Sequence, residues 1–348
     1  MKNHRIVIAV DAMGGDHGVA VTVPAACRLL TKYDHVDLIL VGDEGRLRQA
    51  ISDQSLADQK RMRLSSRISI QHTTEQVLMN ELPAKALKNK KDSSMRKALN
   101  LVRDGVAQAC VSAGNTGALV ATARFVLRTL PGVDRPAITT RFPTMIDNKN
   151  TFILDLGANV DSKKEYLLQL AAMGTILSSV IENVDKPRVA LLNIGSEEIK
   201  GSEQIKQAAQ LLSDNPQINY VGFIEGHEIF KGTVDVIVCD GFIGNIMLKT
   251  VEGVLNLVKF YAKAKVKQSW YNKLAAVLAL PLLFRLQREV DPEKYNGAIL
   301  VGLRGTVIKS HGGAGVTAFT HALENAVLEV ERGAAQKMQH ELERILTT

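Results

Sequence analysis

Six glycine-rich turns, each closing a short apolar run, carry the side chains best placed to do chemistry. Three begin at Asp11 (Asp11-Ala-Met-Gly14-Gly15-Asp16-His17-Gly18), Ser112 (Ser112-Ala-Gly114-Asn115-Thr116-Gly117) and Asp155 (Asp155-Leu-Gly-Ala-Asn159). The others begin at Asn193 (Asn193-Ile-Gly195-Ser-Glu197-Glu198-Ile-Lys200-Gly201), Asp240 (Asp240-Gly-Phe-Ile-Gly244-Asn245) and Lys309 (Lys309-Ser310-His311-Gly312-Gly313). Glycine lets the backbone approach a ligand, and unpaired N–H groups at a helix start or in a turn nest attract anions. For any one turn the plainer reading holds equally well, because Asp, Asn and Ser are ordinary helix caps and turn formers. Six of them on one sheet edge predict a shared polar site for an anion. His17 reads as a solvated turn residue, whereas His311 stays open as an acid–base group.

The elements that must hold these turns follow a repeating pattern of β-branched run, turn and helical stretch. Strands are predicted at Arg5–Val10, Asp37–Val41, Ala109–Ser112, Phe152–Leu156, Arg188–Asn193 and Val234–Cys239. Helices are predicted at Val19–Tyr33, Thr116–Leu130, Lys163–Asn183, Gln204–Ser213 and from Ile243 onward, with a last helix from Thr317 to Leu346. Continuously apolar strands are buried on both faces, and alternation with helices gives a doubly wound, Rossmann-like αβα sandwich on a mainly parallel sheet. In such a sheet, ligands bind beyond the carboxyl ends of the strands. No linker or repeat divides the 348 residues, so a single α/β domain is expected, with a helical excursion at about 253–293.

Composition removes several classes. The chain is 46% hydrophobic and 23% charged, ordinary for a globular protein. Cys27, Cys110 and Cys239 lie far apart, which excludes a disulfide scaffold or cysteine zinc site and suits a reducing cytosol. There is no GxxxxGK[ST] loop, GxSxG elbow or HExxH helix, and no metal site is expected. The GxGxxA match at Gly313–Ala318 opens the last helix, so the βαβ unit of a dinucleotide site cannot follow it. A net charge of +7 favours an anionic partner. Nucleic acid fits poorly, since no groove-entering motif is present and aromatic residues are only 5%. The basic run Lys85, Lys88, Lys90, Lys91, Arg96 and Lys97 reads as a solvated loop or, through Ser93 and Ser94, as one more capped helix start. The longest uncharged apolar run, Leu274 to Phe284, falls short of the roughly 18 residues of a spanning helix. With Trp270-Tyr271 before it and Arg285 and Arg288 after it, it suits a helix lying on anionic lipid, through Leu274, Leu278, Leu282 and Phe284. A dimer-packing or core helix is the equal alternative.

Taken in order along nearly the whole chain, these motifs resemble the bacterial acyl-[acyl-carrier-protein]:phosphate acyltransferases of phospholipid synthesis. The resemblance runs from Ile8–Asp16 through Lys90–Ser94, Ser112–Gly117, Leu154–Asn159, Leu192–Gly201 and Asp240–Asn245 to Lys309–Gly312. Gly312-Gly313-Ala314-Gly315 departs from it, standing where the family has a Gly-Ser-Ser-Asp-like stretch. The resemblance implies a phosphate acetyltransferase-like fold and a homodimer without metal or organic cofactor. It further implies a cytoplasmic protein resting peripherally on the inner membrane face. Its implied activity moves a long-chain acyl group from acyl carrier protein to inorganic phosphate, with a membrane glycerol-3-phosphate acyltransferase as a further partner. By motif position its catalytic lysine and asparagine fall on Lys200 and Asn245. Asp11, Gly14, Gly15, Asp16, Ser112, Gly114, Asn115, Thr116, Asp155, Asn159, Asn193, Gly195, Asp240, Gly244 and His311 become candidate phosphate- or substrate-binding residues. The alternatives are a phosphate acetyltransferase-like enzyme for short acyl-CoA and a non-catalytic scaffold holding acyl carrier protein at the membrane.

Overall fold

A computed structural model describes residues 5–54, 66–290 and 296–347, with 281–290 described by backbone alone. The first strand and helix, β1 (Ile6–Asp11) and α1 (Val19–Lys32), lead to β2 (Val36–Gly42), α2 (Glu44–Ser52) and β3 (Ile68–His72). Then come α3 (Pro83–Asn89), α4 (Ser94–Arg103), β4 (Ala109–Ser112) and α5 (Thr116–Leu127). Two consecutive strands, β5 (Ala137–Pro143) and β6 (Asn150–Leu154), precede α6 (Lys164–Glu182), β7 (Arg188–Asn193), α7 (Glu203–Asp214) and β8 (Asn219–Glu225). A 3₁₀ turn (Gly226–Lys231) leads to β9 (Val236–Val238), α8 (Gly241–Gln268) and α9 (Trp270–Val290). The chain closes with β10 (Ala298–Val301), β11 (Thr306–Lys309), α10 (Val316–Arg332) and α11 (Ala334–Leu346).

The described strands form one sheet in the order β3-β2-β1-β4-β11-β10-β5-β6-β9-β7-β8. Successive residues of β1 show why its run is apolar throughout. Ile8 and Val10 belong to the core on the face that α1 and α10 cover, while Ala9 belongs to the core on the other face, with α4 and α5. A strand covered on both sides leaves no place for a polar residue before its end. Asp11 and Ser112 therefore come last in β1 and β4, side by side in register.

The sheet departs from the expected arrangement in one respect that matters for function. β5 and β6 pair as an antiparallel hairpin, from Thr139↔Leu154 to Pro143↔Asn150, without a crossover helix. From there the direction is reversed: β6, β9, β7 and β8 are mutually parallel but run against β1, β2, β3, β4 and β11. The carboxyl ends of the two sets consequently lie at opposite edges, so the six turns do not share one edge.

Two boundaries also differ. The C-terminal helix is two helices, broken at Gly333, whose φ of 65° is the left-handed conformation that ends a helix. The excursion is a helical pair in which Ser269, extended at φ −147°, separates α8 from α9. No helix among the described residues is long and apolar enough to cross a membrane.

Candidate functional site

The neighbouring strands β6, β9 and β7 end in the turns that begin at Asp155, Asp240 and Asn193. Asp155 is fully buried, and its carboxylate is spent on its own surroundings. Oδ1 accepts from the backbone N–H groups of Ile138 (3.0 Å), Gly157 (3.1 Å) and Ala158 (3.0 Å). Oδ2 accepts from the Asn159 backbone and side chain, both at 2.9 Å. Burial pushes the Asp155 carboxyl up while these donors pull it down. Asn159 also donates to the Tyr166 hydroxyl (2.7 Å) and to the Pro136 carbonyl (2.8 Å). Asp240 caps α8 through the Phe242 N–H (2.8 Å) and holds the Ser162 N–H (2.7 Å). Asp240 is a helix cap, whereas Asp155 closes its own turn and caps no helix among the described residues. They shape the turns, and their charge is directed into the backbone.

That shaping leaves a lysine and an amide facing outward. The loop after β7 folds back so that the Asn193 side chain donates to the Lys200 carbonyl (3.2 Å). Gly201, at φ +92°, leaves the room that the Asn193 amide fills. Lys200 is left exposed. Asn245 is exposed on the first turns of α8, against Gly157. The start of α8 is pressed onto the Asp155 turn: a Cβ at Gly244 would lie 1.9 Å from the Asp155 carbonyl oxygen. Gly244→Ala should therefore push α8 off this turn, lowering stability by roughly 2 kcal/mol or more and displacing Asn245. Thermal unfolding and turnover of the variant, measured together, check this; an unchanged melting temperature contradicts the packing argument.

The second group of turns follows β1, β4 and β11. Asp11 is buried and accepts the Ser112 hydroxyl at 2.6 Å, while the Ser112 Oγ accepts the Gly114 N–H at 3.0 Å. Burial pushes the Asp11 carboxyl up, against hydrogen bonds from Ser112 and Ser94. Gly14 and Gly114 abut the Asp11 carboxylate, and a Cβ at Gly15 would lie 2.9 Å from both Ala113 Cβ and the Gly312 carbonyl oxygen. Asp16 donates its N–H to the same Gly312 oxygen (2.9 Å). These turns are knotted to one another. Asn115 caps α5 through the Ala118 N–H (2.9 Å) and donates to the Met79 carbonyl (2.6 Å). Asp16, Thr116 and His311 are exposed; the His311 Nδ1 accepts the Gly313 N–H at 3.1 Å.

The candidate residues thus fall into two clusters: Asp155, Asn159, Asn193, Gly195, Lys200, Asp240, Gly244 and Asn245 form one, and the remainder form the other. The first two turns of α8 link them. From Gly241 to Lys249 the helix rises about 12 Å, and Lys249 reaches the electrostatic surroundings of Lys309. Lys309 is the residue that the sequence underrates. It is buried, donates to the Ser310 carbonyl, and burial pushes it down to about 8, against the pull of Asp11 and Asp16. The sequence places it at the start of one of the six turns and of the family-like stretch Lys309–Gly312, with nothing to show that it is buried.

Of the residues named for a lipid surface, Leu274 and Leu278 are 53% and 76% exposed on α9. Leu282 and Phe284 lie on the same helix, with their side chains outside the described residues. Trp270 and Tyr271 stack with centroids 3.7 Å apart at its start. Among the described residues, no cluster of three His, Cys, Asp or Glu could hold a metal ion.

Residues 6–337 match the family described as fatty acid synthesis protein. A phosphate acyltransferase from Alcanivorax borkumensis is 54% identical over 327 residues, 94% of each chain. A phosphate acyltransferase from Coxiella burnetii strain Dugway is 52% identical over 339 residues, 97% of each chain. The chain belongs to the phosphate acyltransferase family. It is accordingly an acyltransferase. A phosphotransacetylase from Streptococcus pyogenes, 17% identical, superposes with a TM-score of 0.60 over 96% of this chain and 94% of its own. The fold is therefore phosphate acetyltransferase-like, α/β with helices on both faces of the sheet.

Proposed function

We propose that this chain transfers a long-chain acyl group from acyl carrier protein to inorganic phosphate, supplying acyl phosphate for phosphatidic acid synthesis. The observation that supports the reading is that exposed Lys200, in the loop after β7, and exposed Asn245, on the first turns of the helix after neighbouring parallel β9, follow the same edge of the sheet, where Asp155 and Asp240 are bonded to backbone N–H groups. A lysine charge and an amide donor beside a helix start suit a multiply charged oxoanion, with exposed Glu197 and Glu198 in the Lys200 loop as the opposing charges.

Phosphate is already anionic near neutral pH, so no strong base is required to make the nucleophile. A phosphate oxygen attacks the thioester carbonyl, the tetrahedral oxyanion collapses, and the carbon–sulfur bond breaks. The departing thiolate has an ordinary pKa near 8.5, so it leaves without a dedicated acid. Lys200 neutralises phosphate and the charge that develops as it attacks. Asn245 donates a hydrogen bond to the oxyanion. Asp155, Asn159, Asn193, Gly195, Asp240 and Gly244 hold these two groups in position, and positioning with fixed donors is the bulk of the catalysis such a reaction needs.

On the same reading the chain acts as one catalytic domain in a homodimer. The apolar face of α9 rests peripherally on anionic lipid at the inner membrane face, where a membrane glycerol-3-phosphate acyltransferase takes the product. The deciding assay is release of free thiol from acyl carrier protein, measured with and without inorganic phosphate, against acyl-coenzyme A as comparison. Phosphate-dependent release from the long-chain carrier thioester is expected. Turnover confined to short acyl-coenzyme A would mark a phosphate acetyltransferase-like enzyme, and binding without thiol release a scaffold.

A further inference from the structure

Helices α3 and α5 build a face that the transfer chemistry leaves unused. Pro83, at the start of α3, lies against Gly117 of α5, so the two helices meet beside the Asn115 turn. Their outer surfaces carry Lys85, Lys88, Arg124 and Arg128, all exposed, and neither helix contains an acidic residue. The same elements carry Leu82, just before α3, and Phe125, on α5, each 61% exposed. Phe125 is held from behind by the Arg96 guanidinium, 5.0 Å from its ring centroid. The nearby acids are already engaged: Glu81 accepts the Leu78 N–H (3.3 Å), and Asp92 is held by Thr74 and paired with Lys97 (3.2 Å). The face therefore combines exposed cations with exposed apolar side chains, a composition suited to docking an acidic protein.

Its position fits a donor carried on a tether. Asn115 ties the Met79 and Glu81 carbonyls, just before α3, to the turn after β4. That turn is knotted to the Lys309 turn, which the first two turns of α8 connect to Asn245. The face lies on the side of the sheet that α8 also covers. A protein seated there could pass a thioester on a flexible arm along α8 to Lys200 and Asn245, while itself remaining outside the site.

We infer that the α3–α5 face, with Leu82 and Phe125 and the cations Lys85, Lys88, Arg124 and Arg128, docks the acidic protein that delivers the acyl thioester. This rests on the carrier-bound donor proposed above. Two apolar side chains accompanied by cations suit a small acidic helical partner better than lipid, for which α9 offers a continuous apolar stretch.

The test compares wild type with Lys85→Glu/Lys88→Glu and with Leu82→Ala/Phe125→Ala, using acyl carrier protein thioester and acyl-coenzyme A as donors. Charge reversal should raise KM for the carrier thioester at least ~10-fold and flatten its salt dependence, with kcat and acyl-coenzyme A turnover within about threefold of wild type. The apolar pair should raise the same KM without altering the salt slope. Equal losses with both donors, or unchanged carrier KM in both variants, would overturn the docking assignment while leaving the proposed activity intact. Loss of binding to vesicles of anionic phospholipid with unchanged carrier KM would assign the face to lipid and overturn it too. Failure of wild type itself to use the carrier thioester would remove the proposed donor, and the docking face with it.

Discussion

Lys200→Ala and Asn245→Ala should each lower kcat by at least ~10²-fold while leaving the melting temperature within a few degrees of wild type. Both side chains are exposed, and neither fills a core gap, so truncation removes chemistry and little packing. The backbone around them is fixed by other groups. Asn193 holds the Lys200 carbonyl, and Asp240 caps the helix that carries Asn245. Lys200→Arg keeps the charge but spreads it over a planar fork, so it should restore only part of the rate. The phosphate KM separates the two roles. It should rise with the loss of Lys200, whose charge acts on the bound anion as well as on the transition state. It should change little with the loss of Asn245, which acts on the developing oxyanion. Near-normal turnover in both alanine variants would remove these assignments.

The second large effect is expected at the helical pair. Leu274→Glu combined with Leu278→Glu should reduce partition onto anionic liposomes by at least ~10²-fold. Each leucine contributes roughly 2 kcal/mol when it enters the acyl boundary, and each glutamate adds repulsion from the lipid charge. These residues are exposed in the chain, so folding is not at stake; thiol release by the free enzyme should persist. The neighbouring cations Lys267 and Lys273 are exposed as well, so wild-type binding should weaken with salt. Flotation unchanged in the double variant would mean that this surface meets another protein surface, and the mass of the variant in solution would show whether that surface is a second copy.

The strands that were legible in the sequence are those buried on both faces, where nearly every residue had to be apolar. β1, β4 and β7 and the turns that end them follow from that constraint. β5 was not legible, because its run Ala137-Ile-Thr-Thr-Arg-Phe-Pro143 is half polar. Two of its polar side chains find distant partners. The Thr139 hydroxyl donates to the Ile153 carbonyl (2.8 Å), and Arg141 reaches Glu182 (3.5 Å) and Asn325 (2.8 Å). Missing that strand meant missing the hairpin and the reversal that follows it. In the site, the turns were visible but their orientation was not. A sequence shows that Asp155 can accept hydrogen bonds, yet only the fold shows that its own backbone supplies the donors. Lys200 and Asn245 stood out through family resemblance, since an exposed lysine and an exposed amide carry no distinguishing signal of their own.

The reversal at the β5–β6 hairpin bears on traffic through the molecule. If the α3–α5 face docks the donor and Lys200 and Asn245 hold phosphate, as proposed above, a bulky delivery protein and a small inorganic ion approach opposite rims of the sheet and need not queue for the same doorway. Neither reactant then has to wait for the other to leave, so the order of arrival is free to follow their concentrations in the cell.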